Sequence, residues 1–208
     1  MMKGRLFALL VAGALAACGD KPAPPEPSLI FDSRVVFVEA DGKTARTPPR
    51  EAMRIWMPHL VGDLYGSPNE GEVARVSLKT DLTFRLDLNG AGEILEKALI
   101  PTQFTQKWMA IEPATARVAR ALPFVLEADN IAPFGTAEWL DQDTGRKLML
   151  VYVDRPARIR GDIVYEQRRL QFDIVADRAG YLWVEQPEGN GTFRTAPVPK
   201  RLVLAVFP

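Results

Sequence analysis

The chain has 208 residues, and 26 Lys and Arg balance 26 Asp and Glu, so its formal net charge is zero. A balance this even provides no long-range field for nucleic acid or anionic lipid, which excludes proteins that bind chiefly by charge. One histidine and one cysteine leave no intramolecular disulfide and almost no route to a zinc centre.

In chain order, Lys3 and Arg5 precede Leu6 to Ala17, twelve apolar or glycine residues with no charge. As a helix this run spans roughly 18 Å, short of the ~30 Å hydrocarbon core. Residues 1–17 therefore read as an export signal rather than a permanent span. The run closes on Leu15-Ala16-Ala17-Cys18-Gly19, which resembles the bacterial lipoprotein signal. The resemblance implies diacylglycerol on the Cys18 thiol, cleavage after Ala17, and palmitate-type acylation of the new amine. The residue types suit that chemistry: small side chains let a peptidase close on the bond, and only a thiol forms the thioether. Two or three acyl chains on one residue hold a protein firmly where one does not. The implied location is the cell envelope, lipid-anchored and facing the periplasm. Gly19 favours the outer membrane over the inner, whereas Asp20 pulls the other way in bacteria that read the next position. Residues 18–28 then form a tether, with four prolines in Gly19 to Ser28, extended at about 3.1 Å per residue where polyproline-like.

The remaining sequence reads mostly as strand. Arg34 to Glu39 is rich in β-branched residues and ends at the turn dipeptide Asp41-Gly42. From Val76 to Leu88 apolar and polar residues alternate, the pattern of one half-buried strand closed by Asn89-Gly90. Lys147 to Val153 is nearly all apolar and predicts a central strand covered on both faces. Leu170 to Ile174 alternates, and Tyr181 to Glu185 and Leu202 to Phe207 complete the set. Helix signals are minor: Arg50 to Met57 between prolines, and Pro113 to Leu122, which alternates well enough to be a strand instead. Seventeen prolines leave little room for more.

The expected class is thus all-β with minor helix. An internal echo refines it. Leu82-Thr83-Phe84-Arg85-Leu86 and Ala91-Gly92 recur 88 residues on as Leu170-Gln171-Phe172-Asp173-Ile174 and Ala179-Gly180. Glu39-Ala40-Asp41 recurs as Glu127-Ala128-Asp129 at the same offset. This predicts an internal duplication, with two small β-sandwich modules at 29–112 and 116–208. The strand, turn, Ala-Gly, strand grammar resembles transthyretin-like and immunoglobulin-like sandwiches, a likeness that implies a fold and no function.

Catalytic chemistry finds little support. His59 is the only possible imidazole base, and no G-x-S-x-G elbow is present. Asp87 to Glu93 has a calcium-loop flavour but lacks the third oxygen ligand, so turn geometry is the simpler reading. Glu138, Asp141 and Asp143 read as a polar turn rather than a glycosidase-type acid pair. Arg160-Gly161-Asp162 reads as the end of one strand and the start of another. Arg158, Arg160 and Arg168, in a locally basic stretch, are candidate docking residues beside the alternative of a solvated strand face. Trp108 and Trp139 are candidate groove aromatics beside the alternative of core. No catalytic residue, metal ligand or cofactor is expected.

The functional expectation is a non-enzymatic envelope lipoprotein, an accessory or assembly factor docking another envelope protein while its lipid holds the membrane. The alternatives are a solute- or glycan-binding lipoprotein and, last, a carboxylate-based hydrolase. Lipidation is checked directly: the mature N-terminal peptide should carry acyl mass on Cys18 by mass spectrometry. Cys18→Ser should yield an uncleaved or soluble form.

Overall fold

A computed structural model describes residues 30–49, 53–60, 72–89, 109–127 and 133–208. The leader, Cys18, the tether, Trp108 and the Ala91-Gly92 pair lie outside these residues. Within them are fourteen strands and no helix. The first seven are β1 (Ile30–Phe37), β2 (Met53–Leu60), β3 (Glu72–Ser77), β4 (Thr83–Asp87), β5 (Met109–Glu112), β6 (Val118–Ala121) and β7 (Phe124–Glu127). The rest are β8 (Thr136–Asp141), β9 (Lys147–Val153), β10 (Ala157–Tyr165), β11 (Arg168–Ala176), β12 (Gly180–Gln186), β13 (Gly191–Ala196) and β14 (Leu202–Phe207).

A mixed sheet runs β4-β1-β14-β8-β9-β12-β13-β11-β10-β5. Its parallel pairs are β1 with β14 and β11 with β13. A small sheet sets β2 between β3 and β7. β6 joins the two, pairing with β2 on one side and β9 on the other.

The uninterrupted apolar run of β9 has a clear reason. Successive side chains of a strand point to opposite faces, and each face of β9 meets its own core. Leu148 and Leu150, with Trp183 of β12, join a core filled by Val35, Phe37, Phe84, Leu86, Leu202 and Leu204. Met53, Ile55 and Met57 of β2 and Val125 of β7 close that core from the small sheet. Met149, Val151 and Val153, with Val184 of β12, enter a second core with Ile111, Ile159 and Ile174. A file of rings runs through the first core: Phe31 to Trp183 at 5.5 Å, Trp183 to Trp139 at 5.8 Å and Trp139 to Phe84 at 6.1 Å.

Several expectations are corrected. Residues 53–57 form strand and not helix, because Met53, Ile55 and Met57 are buried alternately with half-buried Arg54 and Trp56. Pro58 is accommodated at a register shift after Met57. Residues 118–121, where helix and strand were both open, are strand. The alternation from Val76 to Leu88 is broken between β3 and β4. There Asp81 accepts the backbone N–H of Thr83 at 3.0 Å and its hydroxyl at 2.6 Å, and Leu82 takes φ 64°. Arg160-Gly161-Asp162 lies inside β10 and ends no strand.

The halves 29–112 and 116–208 do not form self-contained modules. β14 inserts between β1 and β8, β5 lies beside β10, and β7 pairs with β2. Phe84 and Phe172 share one sheet at non-equivalent places. β4 ends the path beside β1, whereas β11 lies between β10 and β13. The physical reason is that Val35, Phe37 and Phe84 are covered only with the help of Leu202, Leu204 and Val206. The 88-residue echo survives locally. Val38 bridges Ala45 and Leu126 bridges Pro133. Arg46 N donates to Phe37 O at 2.8 Å, as Phe134 N donates to Val125 O at 3.0 Å.

Two outcomes follow. Phe84, 3 % exposed, should cost about 3–5 kcal/mol in urea unfolding when replaced by Ala. Phe172→Ala should cost less, since that ring is half-buried against Phe193. In the turn after β1 the Thr44 hydroxyl, then the backbone N–H groups of Thr44 and Lys43, hold the Asp41 carboxyl at about 2. Its contribution is therefore complete above the ordinary value of 3.8 and fades as pH falls through about 2. An NMR titration of the Asp41 carboxyl carbon should show that midpoint.

Candidate functional site

Arg158, Arg160 and Arg169 of the basic stretch lie on the outer face of β10 and β11, which is largely self-neutralised, whereas Arg168 opens β11 on the other parity. Strand parity sets Arg158, Arg160 and Asp162 beside Arg169, Gln171 and Asp173. Arg158 bonds Asp173 at 2.8 Å, and Arg169 bonds Asp162 through Nε at 3.0 Å. The guanidinium of Arg169 holds the Asp162 carboxyl below its usual range. The ladder continues onto β12, where Glu185 takes both Arg146, at 2.9 Å, and Arg194, at 3.2 Å. Arg160 and Arg168 are exposed and make no ion pair among the described residues. The solvated-face reading fits this arrangement better than a dedicated docking site. Trp139 is 1 % exposed and packs in the first core, where it also borders the cavity at the sheet fork described below.

The carboxylates considered for catalysis have structural partners. Glu138 pairs with Lys147 at 2.7 Å. Asp141 accepts from Asp143 N at 3.0 Å and from the Thr144 hydroxyl at 2.7 Å. Asp143 takes Arg201 Nε at 2.6 Å. Asp87 closes its own turn with Asn89. Among the described residues no three His, Cys, Asp or Glu groups gather as metal ligands.

Two concave features remain. The first is an open groove of about 570 Å³ across β1, β4 and the start of β14. The alternation that buries Val35, Phe84 and Leu86 turns Arg34 and Arg85 outward. Lys79, Lys200 and Arg201 join them, against the single acid Asp32. Asp32 is held by Arg85 at 3.2 Å and Arg201 by Asp143. Arg34, Lys79 and Lys200 make no ion pair among the described residues, so the groove carries surplus positive charge. No local motif could have revealed it, because its cations come from three distant stretches of chain.

The second feature lies where the sheet forks. β9 pairs with β12 along its whole length. Along its other edge β8 reaches only Leu148, and β6 begins only at Leu150. Met149 thus faces no strand there, and a cavity of about 370 Å³ occupies the fork. Arg120 of β6, opposite Val151, lines it with Trp139, Glu138, Gln186, Phe124 and Met149. The Arg120 Nε is buried without a hydrogen-bond partner, and so is the indole Nε1 of Trp139. Burial depresses the basicity of the Arg120 guanidinium. Stripping an ion of water without a counter-charge is costly, which makes this the most unusual polar group described.

No family model matches the chain, and neither a curated protein nor a solved structure shows significant similarity to it.

Proposed function

We propose that the chain is a lipid-anchored envelope lipoprotein with no catalysis of its own, which docks an acidic surface of another envelope protein. The anchor rests on Leu15-Ala16-Ala17-Cys18 and the proline-rich tether after it. The observation that carries the docking reading is the groove, where five Lys and Arg face one Asp on a chain whose overall charge is balanced. Beside it β4 pairs on one side only among the described residues, so a partner strand could meet both backbone hydrogen-bonding groups and cations. Charge complementarity at such a surface sets on-rate and partner choice. The periplasmic face of the outer membrane is the favoured location, from Gly19 after the lipidated residue.

The test is site-specific photo-cross-linking in intact envelopes, with the probe at Lys79 and a control probe at Arg160. One discrete adduct from Lys79 should form, weaken with salt, and disappear in the Arg34→Glu, Lys200→Glu double variant. The same adduct from Arg160, or one indifferent to charge reversal, would count against the groove.

A further inference from the structure

We infer that the cavity at the sheet fork is a binding site for a small monocarboxylate with an apolar body. The cavity lies apart from the docking groove, so this inference does not rest on the reading above.

The charge inside the cavity selects the ligand. Among the described residues lining it, Arg120 is the only cation and Glu138, matched by Lys147 at 2.7 Å, the only acidic side chain. A single carboxylate would give the buried Arg120 guanidinium a counter-charge. Gln186 is committed through Nε2 to the carbonyl of Leu148 at 3.0 Å. The Nε of Arg120 is buried without a hydrogen-bond partner; so is the indole N–H of Trp139, but Arg120, opposite Val151, and Trp139, opposite Leu148, start from opposite faces of the sheet. A planar guanidinium matches a carboxylate through two parallel hydrogen bonds.

The walls select the rest of the molecule. Leu122, Pro123, Phe124, Leu148 and Met149 present apolar surface beside Arg120. A cavity of about 370 Å³ sits at the small end of the range for ligand sites. It suits a single acyl or aryl carboxylate better than an oligomer. Among the described residues the larger aromatics are buried or half-buried, so there is no pair of exposed rings on which a sugar would stack.

The position of the site has a structural origin. A fork leaves Met149 without a strand neighbour on one edge, and close packing cannot continue through it. β6 places Arg120 at that break, paired through the backbone to Val151 on one side and Leu60 on the other.

The test uses the full chain purified in detergent, with hexanoate, its neutral isostere hexanamide and inorganic phosphate as probes. Calorimetry and tryptophan fluorescence are the readouts. Hexanoate should bind with a Kd at or below about 1 mM and raise Tm. Hexanamide and phosphate should bind at least about tenfold more weakly. Arg120→Met should weaken hexanoate by about tenfold or more while Tm without ligand holds or rises, because a buried unpaired charge has been removed. Arg158→Met, on the outer face, should leave hexanoate binding unchanged. Equal affinity for hexanoate and hexanamide, tighter binding of phosphate, or an unaltered affinity in Arg120→Met would each overturn the assignment. If Arg120→Met does not fold, the contrast between hexanoate and hexanamide in the unaltered protein still decides. Charge reversal at Arg34 and Lys200 should leave that contrast intact, which separates this site from the docking groove.

Discussion

β9 and β12 are hydrogen-bonded from Gly180↔Val153 to Gln186↔Lys147, and both faces of this ribbon are buried. Leu148, Leu150 and Trp183 serve one core, and Met149, Val151 and Val184 serve the other. A slip of one residue would exchange the two faces, and each core would then receive the side chains shaped for its neighbour. Register is thus specified twice over. The fork has the same origin: strands covering one face and strands covering the other must leave the same edge of β9 at different points. The Arg120 cavity is a by-product of one ribbon walling two cores.

The surface chemistry also depends on parity. β1 and β4 must send Val35, Phe37, Phe84 and Leu86 inward, so Asp32, Arg34 and Arg85 have to face out, directly across the strand boundary from one another or from Thr83. The same constraint on β10 and β11 sets Arg158 and Arg169 within reach of Asp173 and Asp162. One outward face is neutralised within itself and the other is left cationic. The difference lies in which acids share the face, not in how basic the local sequence is.

That is why the sequence disclosed the strands better than the sites. β9 and β14 were legible to the residue, because a bounded apolar run of six or seven residues admits few other readings. β2 was not: Arg50 to Met57 contains good helix formers, and its period of two acquires meaning only from β3 and β7 on either side. The stretch from Val76 to Leu88 kept its parity through a turn, so alternation alone could not show the break at Asp81. The 88-residue echo described a turn that does recur, but sheet order depends on long-range pairing that short motifs do not encode. Arg120 was illegible for a similar reason. Between two alanines it reads as an outward arginine on a wet strand, and only the wedging of β6 between β9 and β2 encloses it.

Among the described residues β14 is the only link between the β1–β4 pair and β8 in the order of the sheet. Its partner β1 lies far away in sequence, with Arg34 registered against Val203. Removal of Leu202–Phe207 would break that link and bare two strand edges at once, one on β1 and one on β8. Such edges are the features that proteases and aggregating neighbours find first. Closing the sheet therefore depends on a pairing that spans most of the described sequence, from Arg34 to Val203.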